Sequence, residues 1–416
     1  MPKLLLDISP LKELPAYRRL FTGVSISNIG QQMTSVAVGI QVYSLTHSSF
    51  AVGLVGLFQL VPLITLGLFG GAMSDAYDRR KIGVVSATGM TVTSALLFLQ
   101  ALRGNTHVWV LYALVAIASA FFAVGNPARQ SIIPRIVPKE RLPQANSLSM
   151  LSWNLGFTLG PLLGGVLIGL TGEVWVAYFV DVVAYCVMVW AMYALPSLPP
   201  IAGAPTKPGF AAVAEGLKFL KGKRNLQMSF FADINAMVFG LPRALFPAIA
   251  MHWYGDSFGS NAARVGLLTA SPALGAAVSA IFSAPLTRVY KQGQAITYSI
   301  IGWGFAIAAF GLTRNLWLGV LFLALAGAAD NVSALYRTTI LQAAVPDEYR
   351  GRLQGLFTVV VAGGPRLGDF EAGAVASVGG EAFSVISGGI ACVVVMAALV
   401  KLNPGFLKYD SRNPEL

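Results

Sequence analysis

The sequence predicts an all-α membrane protein of about twelve transmembrane helices, arranged as two pseudo-symmetric six-helix bundles. Three observations predict it. Apolar runs of about 20 residues, the length that crosses a bilayer's hydrocarbon core, recur along the 416-residue chain. Charged residues make up only 11% of it and hydrophobic residues 55%, whereas soluble domains carry roughly 25% charged residues; mean hydropathy is +0.67. The third is an internal repeat. Arg129 to Glu140 reads RQSIIPRIVPKE and Arg337 to Glu348 reads RTTILQAAVPDE, at an offset of 208 positions (337 − 129). Gly160-Pro161 has an echo in Gly364-Pro365 at an offset of 204 (364 − 160). Weak internal symmetry at equivalent topological positions accompanies membrane folds built from two repeated bundles.

In the first half, spans are expected over residues 20–44, 50–73, 83–103, 108–130, 146–170 and 174–195. The stretch through Arg19 is a polar lead-in without a small-residue cleavage site, so no removable signal peptide is expected. The first span carries Asn28, Gln31, Gln32, Thr34 and Ser35. These suit the lining of a wet cavity, because lipid would leave their polar groups unsatisfied. Asn154 and Thr158 of the fifth span join them. In that span Gly156, Gly160 and Gly164 recur every fourth residue, with Gly165 beside them. Such a stripe lets another helix approach backbone to backbone, and Pro161 should kink the helix by removing a donor. Trp153 and Trp303 are either stacking platforms for aromatic ligands or plain packing residues.

The second half gives spans over 227–252, 262–285, 295–313, 316–337, 354–378 and 382–402. Between the halves, Pro196 to Gly209 is rich in Pro and Ala and reads as a flexible linker. Phe210, Val213, Ala214 and Leu217 then recur at helical spacing opposite Glu215, as in an amphipathic helix lying on a membrane surface. The organisation is therefore residues 1–195 as one bundle, 196–225 as linker and interfacial helix, and 226–416 as the second bundle.

Charge sets the expected orientation. One set of connections holds Lys3, Lys12, Arg18 and Arg19; Arg79, Arg80 and Lys81; Arg129, Arg135, Lys139 and Arg141; Lys207, Lys218, Lys221, Lys223 and Arg224; Arg288 and Lys291; Arg337, Arg350 and Arg352; and Lys401, Lys408 and Arg412. The opposite connections hold only Arg103, Arg264 and Arg314. The positive-inside rule places both termini and the central connection in the cytoplasm. The net charge of +11 is then a topology signal with attraction to anionic headgroups, and no nucleic-acid partner is expected. Cys186 and Cys392 sit mid-span as packing residues. No nucleophile–base pair or metal-ligand constellation appears, so the sequence does not read as an enzyme.

Two motifs and several shorter runs carry a family resemblance. The fifth-span pattern Gly-x3-Gly-Pro-x2-Gly-Gly, from Gly156 to Gly165, resembles the antiporter motif of the major facilitator superfamily, which marks exporters. The connection Gly71-Ala72-Met73-Ser74-Asp75-Ala76-Tyr77-Asp78-Arg79-Arg80-Lys81 resembles that superfamily's cytoplasmic signature. Gly71, Asp75, Arg79 and Arg80 match it, while Ala76 and Asp78 depart from the usual Arg and Gly. The resemblance implies a cytoplasmic latch between the halves made by Gly71, Asp75, Arg79 and Arg80 with Arg129 and Arg337; a tight turn with topology-setting charge is the alternative. SLTHSSFAVGL from Ser44, NPARQSIIPRIVP from Asn126, Asn146-Ser147-Leu148 and DEYRGRL from Asp347 are similar to the enterobactin-exporter branch, which also holds macrolide exporters.

Charges within spans cost roughly 2.5–3.5 kcal/mol each at mid-helix, so each needs a reason. The seventh and tenth spans line the central cavity in the superfamily, which makes Asp233 and Asp330 the candidate proton carriers. A carboxyl facing a partly dry cavity can load and release protons near neutral pH. A structural pair with Arg337 is the alternative. Arg243, Arg366, Asp369 and Glu371 form a second cluster, read as a salt-bridged gate or an anion-binding site. Asp181 reads as solvated in the outer part of the sixth span.

The resemblance implies a monomeric proton-coupled exporter of small amphipathic molecules, a catecholate siderophore or a macrolide-like drug, in a bacterial cytoplasmic membrane. Protons are the coupling ion, and no metal or organic cofactor is expected. A proton-symporting importer shares the fold, but the fifth-span motif argues against it. A non-transporting sensor or scaffold lacks a sizeable soluble part through which to signal.

Overall fold

The computed structural model describes residues 7–199, 218–255, 259–282, 289–344 and 347–410, with side chains left undescribed at 68–72, 74–75 and 342–359. The amphipathic segment expected from Phe210 to Leu217 lies outside the described residues. The chain divides into two compact units: 1–45, 58–209 and 259–266 form the first, and 46–57, 210–258 and 267–416 the second.

In the first unit, α1 (Pro15–Thr46), α2 (Ser49–Ala76), α3 (Arg79–Leu102), α4 (Val108–Ile136), α5 (Leu142–Thr171) and α6 (Trp175–Tyr193) follow one another, the start of α2 grouping with the second unit. Long apolar runs make these helices, and local chemistry ends them. Asp78 caps α3 by accepting from the Arg80 amide at 2.9 Å. Gly172, at φ 74°, closes α5 in the left-handed conformation that favours glycine. The α5 helix continues without interruption through Pro161. A core of Leu20, Met90, Ile132, Tyr185, Met188 and Met192 joins α1, α3, α4 and α6.

The second half supplies α7a (Arg224–Phe239), α7b (Phe246–His252), α8 (Asn261–Ile281), α9 (Gln292–Leu312) and α10 (Leu316–Ala344). A last helical stretch, Asp347–Leu402, is interrupted at Gly380, whose φ of 82° is non-helical, giving α11 (347–379) and α12 (381–402). Ten helical segments are long and apolar enough to cross a bilayer among the described residues. One of these segments contains the Gly380 break, and α1, 32 residues long, carries the polar stretch of the first span. Taking the broken segment as two and adding α1 gives twelve membrane-length helical units among the described residues.

The continuous span expected over 227–252 is broken. α7a ends at Phe239, and a 3-10 turn at Arg243–Leu245 leads into α7b. Pro242 has no amide hydrogen to donate, and Gly240 caps α7a. The buried Trp303 indole of α9 donates to the Gly240 carbonyl at 2.8 Å, satisfying the freed helix end.

Two of the three basic residues at the sparsely charged end are tied to neighbouring groups. Arg264 is buried and donates to Asn261 Oδ1 and the Gly259 carbonyl at the start of its own helix. Arg314 lies over the Trp253 ring, 4.0 Å from its centroid.

Candidate functional site

Within the second unit, α10 places Asp330 and Arg337 seven residues apart, two helical turns along one face. Asp233 reaches them from α7a. Arg337 Nη1 stands 2.9 Å from Asp233 Oδ1, and Arg337 Nη2 donates to Asp330 Oδ1 at 3.4 Å. The Arg337 and Asp233 side chains are 2% and 1% exposed, whereas that of Asp330 is 35% exposed. One fixed cation thus serves two carboxylates in different surroundings. Arg337, assigned from the sequence to the latch, is engaged with the aspartates.

The break in the seventh span positions a second group. Arg243, in the 3-10 turn, donates from Nη2 to Asp369 Oδ2 of α11 at 3.2 Å. Arg366, one turn before Asp369, donates to the Ala362 carbonyl and lies within electrostatic reach of both Arg243 and Asp369. Glu371 is partly buried, and among the described residues no hydrogen bond or ion pair joins it to the cluster. Two positions beyond Asp369, it projects from a different side of the helix.

In the first unit the glycine stripe of α5 meets α1. A Cβ on Gly156 would stand 3.0 Å from Asn28 Cβ, one on Gly160 2.5 Å from Gln32 Cβ, and one on Gly164 3.1 Å from Met33 Cα. Gly165 faces elsewhere, with Gly266 Cα 2.9 Å from its would-be Cβ. Asn28 is buried, Gln31, Gln32 and Thr158 are partly buried, and Asn154 is exposed. Among the described residues, none of the amides of Asn28, Gln31, Gln32 or Asn154 has a hydrogen-bond partner. Trp153 is exposed and packs on Phe157 of its own helix, with ring centroids 5.0 Å apart.

Sequence reasoning placed Asp181 in solvent. It is 2% exposed, accepts from the Ser94 hydroxyl at 2.7 Å, and lies against Gly30, where a Cβ would come within 2.7 Å of Oδ1. Gly30 supplies the space that the carboxyl fills. A nearby polar network was also missed. Tyr178 donates to Gln41 Oε1 at 2.8 Å, and Gln41 and Gln100 pair through their amides at 3.0 Å. The three residues lie on separate helices, and no local spacing announces such a group.

The signature connection is used differently from a simple match to the motif. Gly71 and Asp75 lie in α2, but their side chains fall outside the described residues. Arg79 is buried, and its amide donates to the Leu198 carbonyl at 3.1 Å. Arg80 donates to the Tyr193 carbonyl at 2.7 Å and lies over that ring. Asp78, which departs from the motif, accepts from the Ser197 hydroxyl at 2.5 Å and the Leu198 amide at 3.2 Å. These contacts clasp α3 to the end of α6 within one unit. Arg129 lies apart from this clasp, over the Phe122 ring of its own helix.

Burial alone would push the Asp78 carboxyl up. The hydrogen bonds from Ser197, Leu198, Arg80 and Lys81 outweigh it and hold the carboxyl below its ordinary range. A folded value below the unfolded one makes the stabilisation complete above the unfolded carboxyl's range near pH 4 and loses it as pH falls further. Melting curves of the purified protein between about pH 6 and about pH 3 should therefore fall more steeply for wild type than for Asp78→Asn. Equal slopes would show that the clasp does not depend on the ionised carboxyl.

Comparison with known proteins fits this architecture. The family model of transmembrane secretion effectors matches residues 7–413. The chain belongs to that family. It is 30% identical over 400 residues to the enterobactin exporter EntS of Citrobacter koseri, covering 96% of this chain and 94% of that protein. It is likewise 30% identical over 404 residues to EntS of Escherichia coli, covering 95% of each chain. The fold is that of the major facilitator superfamily. A solved structure of the nucleoside transporter NupG superposes with a TM-score of 0.70 at 15% identity, covering 95% of this chain and 98% of that one. A bacterial homologue of the lysosomal transporter Spinster superposes with a TM-score of 0.76 at 16% identity, covering 97% and 99%. This family member is a multi-pass membrane transporter of small molecules.

Proposed function

We propose that this chain is a proton-coupled exporter of small amphipathic molecules, working by alternating access in a bacterial cytoplasmic membrane. The observation that carries the coupling is the Arg337–Asp233–Asp330 triad. With both carboxylates ionised it carries one net negative charge, and with one proton it is neutral. Such a group binds one proton at a time, and the partial exposure of Asp330 gives that proton a way in and out. The Arg243–Arg366–Asp369 cluster sets two cations against one carboxylate, which suits a gate or the anionic part of a cargo. Likeness to the enterobactin exporters makes a catecholate siderophore the first candidate cargo, with macrolide-like drugs the second.

The energetics are sufficient. Export against a hundredfold gradient costs about 2.8 kcal/mol at about 1.4 per tenfold. One proton entering down 100 mV supplies about 2.3 kcal/mol, and each pH unit adds roughly 1.4. The test compares metabolites secreted by cells with and without the protein, under iron limitation and in rich medium. Loss of one iron-responsive catecholate from the medium supports the siderophore reading, and an unchanged profile under both conditions overturns export of a cell metabolite.

The excess of basic residues at one end of the helices supports cytoplasmic termini, and the protein is taken to act as a monomer. In a background without Cys186 and Cys392, a cysteine at Ser260 should react with an impermeant thiol reagent in intact cells. One at Lys223 should react only after the membrane is opened. The reverse pattern would invert the topology.

A further inference from the structure

The internal repeat sets two arginines in equivalent places and gives them opposite electrostatics. At the offset of 208, Arg337 corresponds to Arg129, and Asp330 corresponds to Phe122 (330 − 208 = 122). Arg337 reaches back seven residues to the Asp330 carboxylate and is met by Asp233. Arg129 reaches back the same seven residues and finds a phenyl ring, its guanidinium 5.7 Å from the Phe122 centroid. No equivalent of Asp233 exists either, because Pro15–Thr46 contains no acidic residue.

The surroundings of Arg129 repeat the point. It lines a small cavity in the first unit with Ser86, Phe122, Gly125, Tyr185 and Met188, a setting without a carboxylate. Ser86 already donates to the Phe121 carbonyl at 2.6 Å. Gly125 has no room for a methyl beside that hydroxyl, so α3 and α4 close one wall of the cavity. Among the described residues, Arg129 makes no ion pair or hydrogen bond; it lies over the Phe122 ring and within electrostatic reach of Tyr185. A guanidinium stays charged at any physiological pH and offers a planar fork of donors that matches an oxyanion. Of the acids whose side chains are described in this unit, Glu13 pairs with Arg141, Asp78 sits in the clasp and Asp181 accepts from Ser94, while Asp7, Glu140 and Glu173 are exposed. Arg129 also lies toward the end of α4 that carries Arg135.

We propose that the Arg129 cavity is an anion site that takes a phosphate group, with the guanidinium as its fork and the Tyr185 hydroxyl beside it. Where the second unit neutralises its arginine with its own carboxylates, the first leaves the charge for a ligand. The phosphate comes either from an anionic lipid headgroup, concentrated at a basic membrane face, or from free phosphate. The site is independent of the exporter reading, since it needs neither a cargo nor a proton.

The test is native mass spectrometry of the full chain in detergent with phosphatidylglycerol, phosphatidylcholine or inorganic phosphate added. Wild type should retain one phosphatidylglycerol or one phosphate, and Arg129→Gln should hold it about tenfold or more weakly, the loss expected for a charge-assisted hydrogen bond. Phe122→Asp should lose the ligand equally while keeping its helical circular dichroism, because it installs the ion pair of the second unit. Arg135→Gln should change nothing. Retention of phosphatidylglycerol that phosphate cannot displace assigns a lipid source, and displacement by phosphate assigns the free ion. Equal retention by wild type, Arg129→Gln and Phe122→Asp would overturn the proposal. So would binding that appears only in Asp75→Asn, which would make Asp75 the counterion.

Discussion

Arg337→Ala is expected to be the most damaging single change in the second unit. Its side chain is 2% exposed and holds two carboxylates, one of them at 1% exposure. Removing one partner of a buried ion pair leaves the other charge uncompensated, at a cost of about 3–5 kcal/mol. Thermal melting of the detergent-solubilised protein should shift down sharply. The double change Arg337→Met with Asp233→Asn should recover much of that loss, because no buried charge is then stranded, yet it should not recover proton-driven transport. A single Arg337→Ala variant that melts like wild type would show that water, and not the arginine, compensates Asp233. The coupling role is tested separately. Asp233→Asn and Asp330→Asn should both fold, and at least one should lose pH-driven accumulation in everted vesicles. Exchange without a gradient should survive better, since exchange needs the conformational cycle but no proton release. Full proton-driven transport in both variants would make the aspartates structural.

How much of this was legible in the sequence differs from feature to feature. The spans were readable because lipid demands long apolar runs with internally satisfied backbones, and the glycine stripe because a spacing of four fixes one helix face. Asp233, Asp330 and Arg337 were readable as individuals, since an ion in an apolar run stands out. Their joint geometry was only partly so. Spacing places Asp330 and Arg337 on one face, but the approach of Asp233 depends on packing between α7a and α10. The break after Phe239 left a signal in Gly240-Leu241-Pro242, masked by strong hydrophobicity on both sides. Asp181 was misread because its burial follows from Gly30, far away in sequence and visible only once α1 and α6 pack. The clasp of Asp78 shows a limit of motif matching. The residue that departs from the pattern makes more contacts within its unit than the matching residues suggest.

Gly160→Leu is expected to abolish transport of every cargo and to lower the stability of the first unit. Even the first carbon of a side chain has no place there. A Cβ would sit 2.5 Å from Gln32 Cβ and 2.8 Å from the Ile29 carbonyl oxygen. Backbone and Cβ atoms of α1 cannot rotate aside as a flexible side-chain tip would, so α1 and α5 must separate. Overpacking of this kind costs about 1–3 kcal/mol, occasionally more. Against it stands a helix-propensity gain of about 1 kcal/mol when glycine becomes alanine. The two effects predict an order. Gly156→Ala, whose Cβ would meet Asn28 Cβ at 3.0 Å, should be close to neutral. Gly160→Ala should be clearly destabilised, and Gly160→Leu most of all. Melting temperatures of the three variants read the packing, and transport of two chemically unlike cargoes reads the function. Both cargoes should slow by the same factor, because a wedge between α1 and α5 impedes movement rather than recognition. A Gly160→Leu protein with native melting, or one that slows a single cargo, would mean that the glycine stripe contributes to cargo choice and not to close packing.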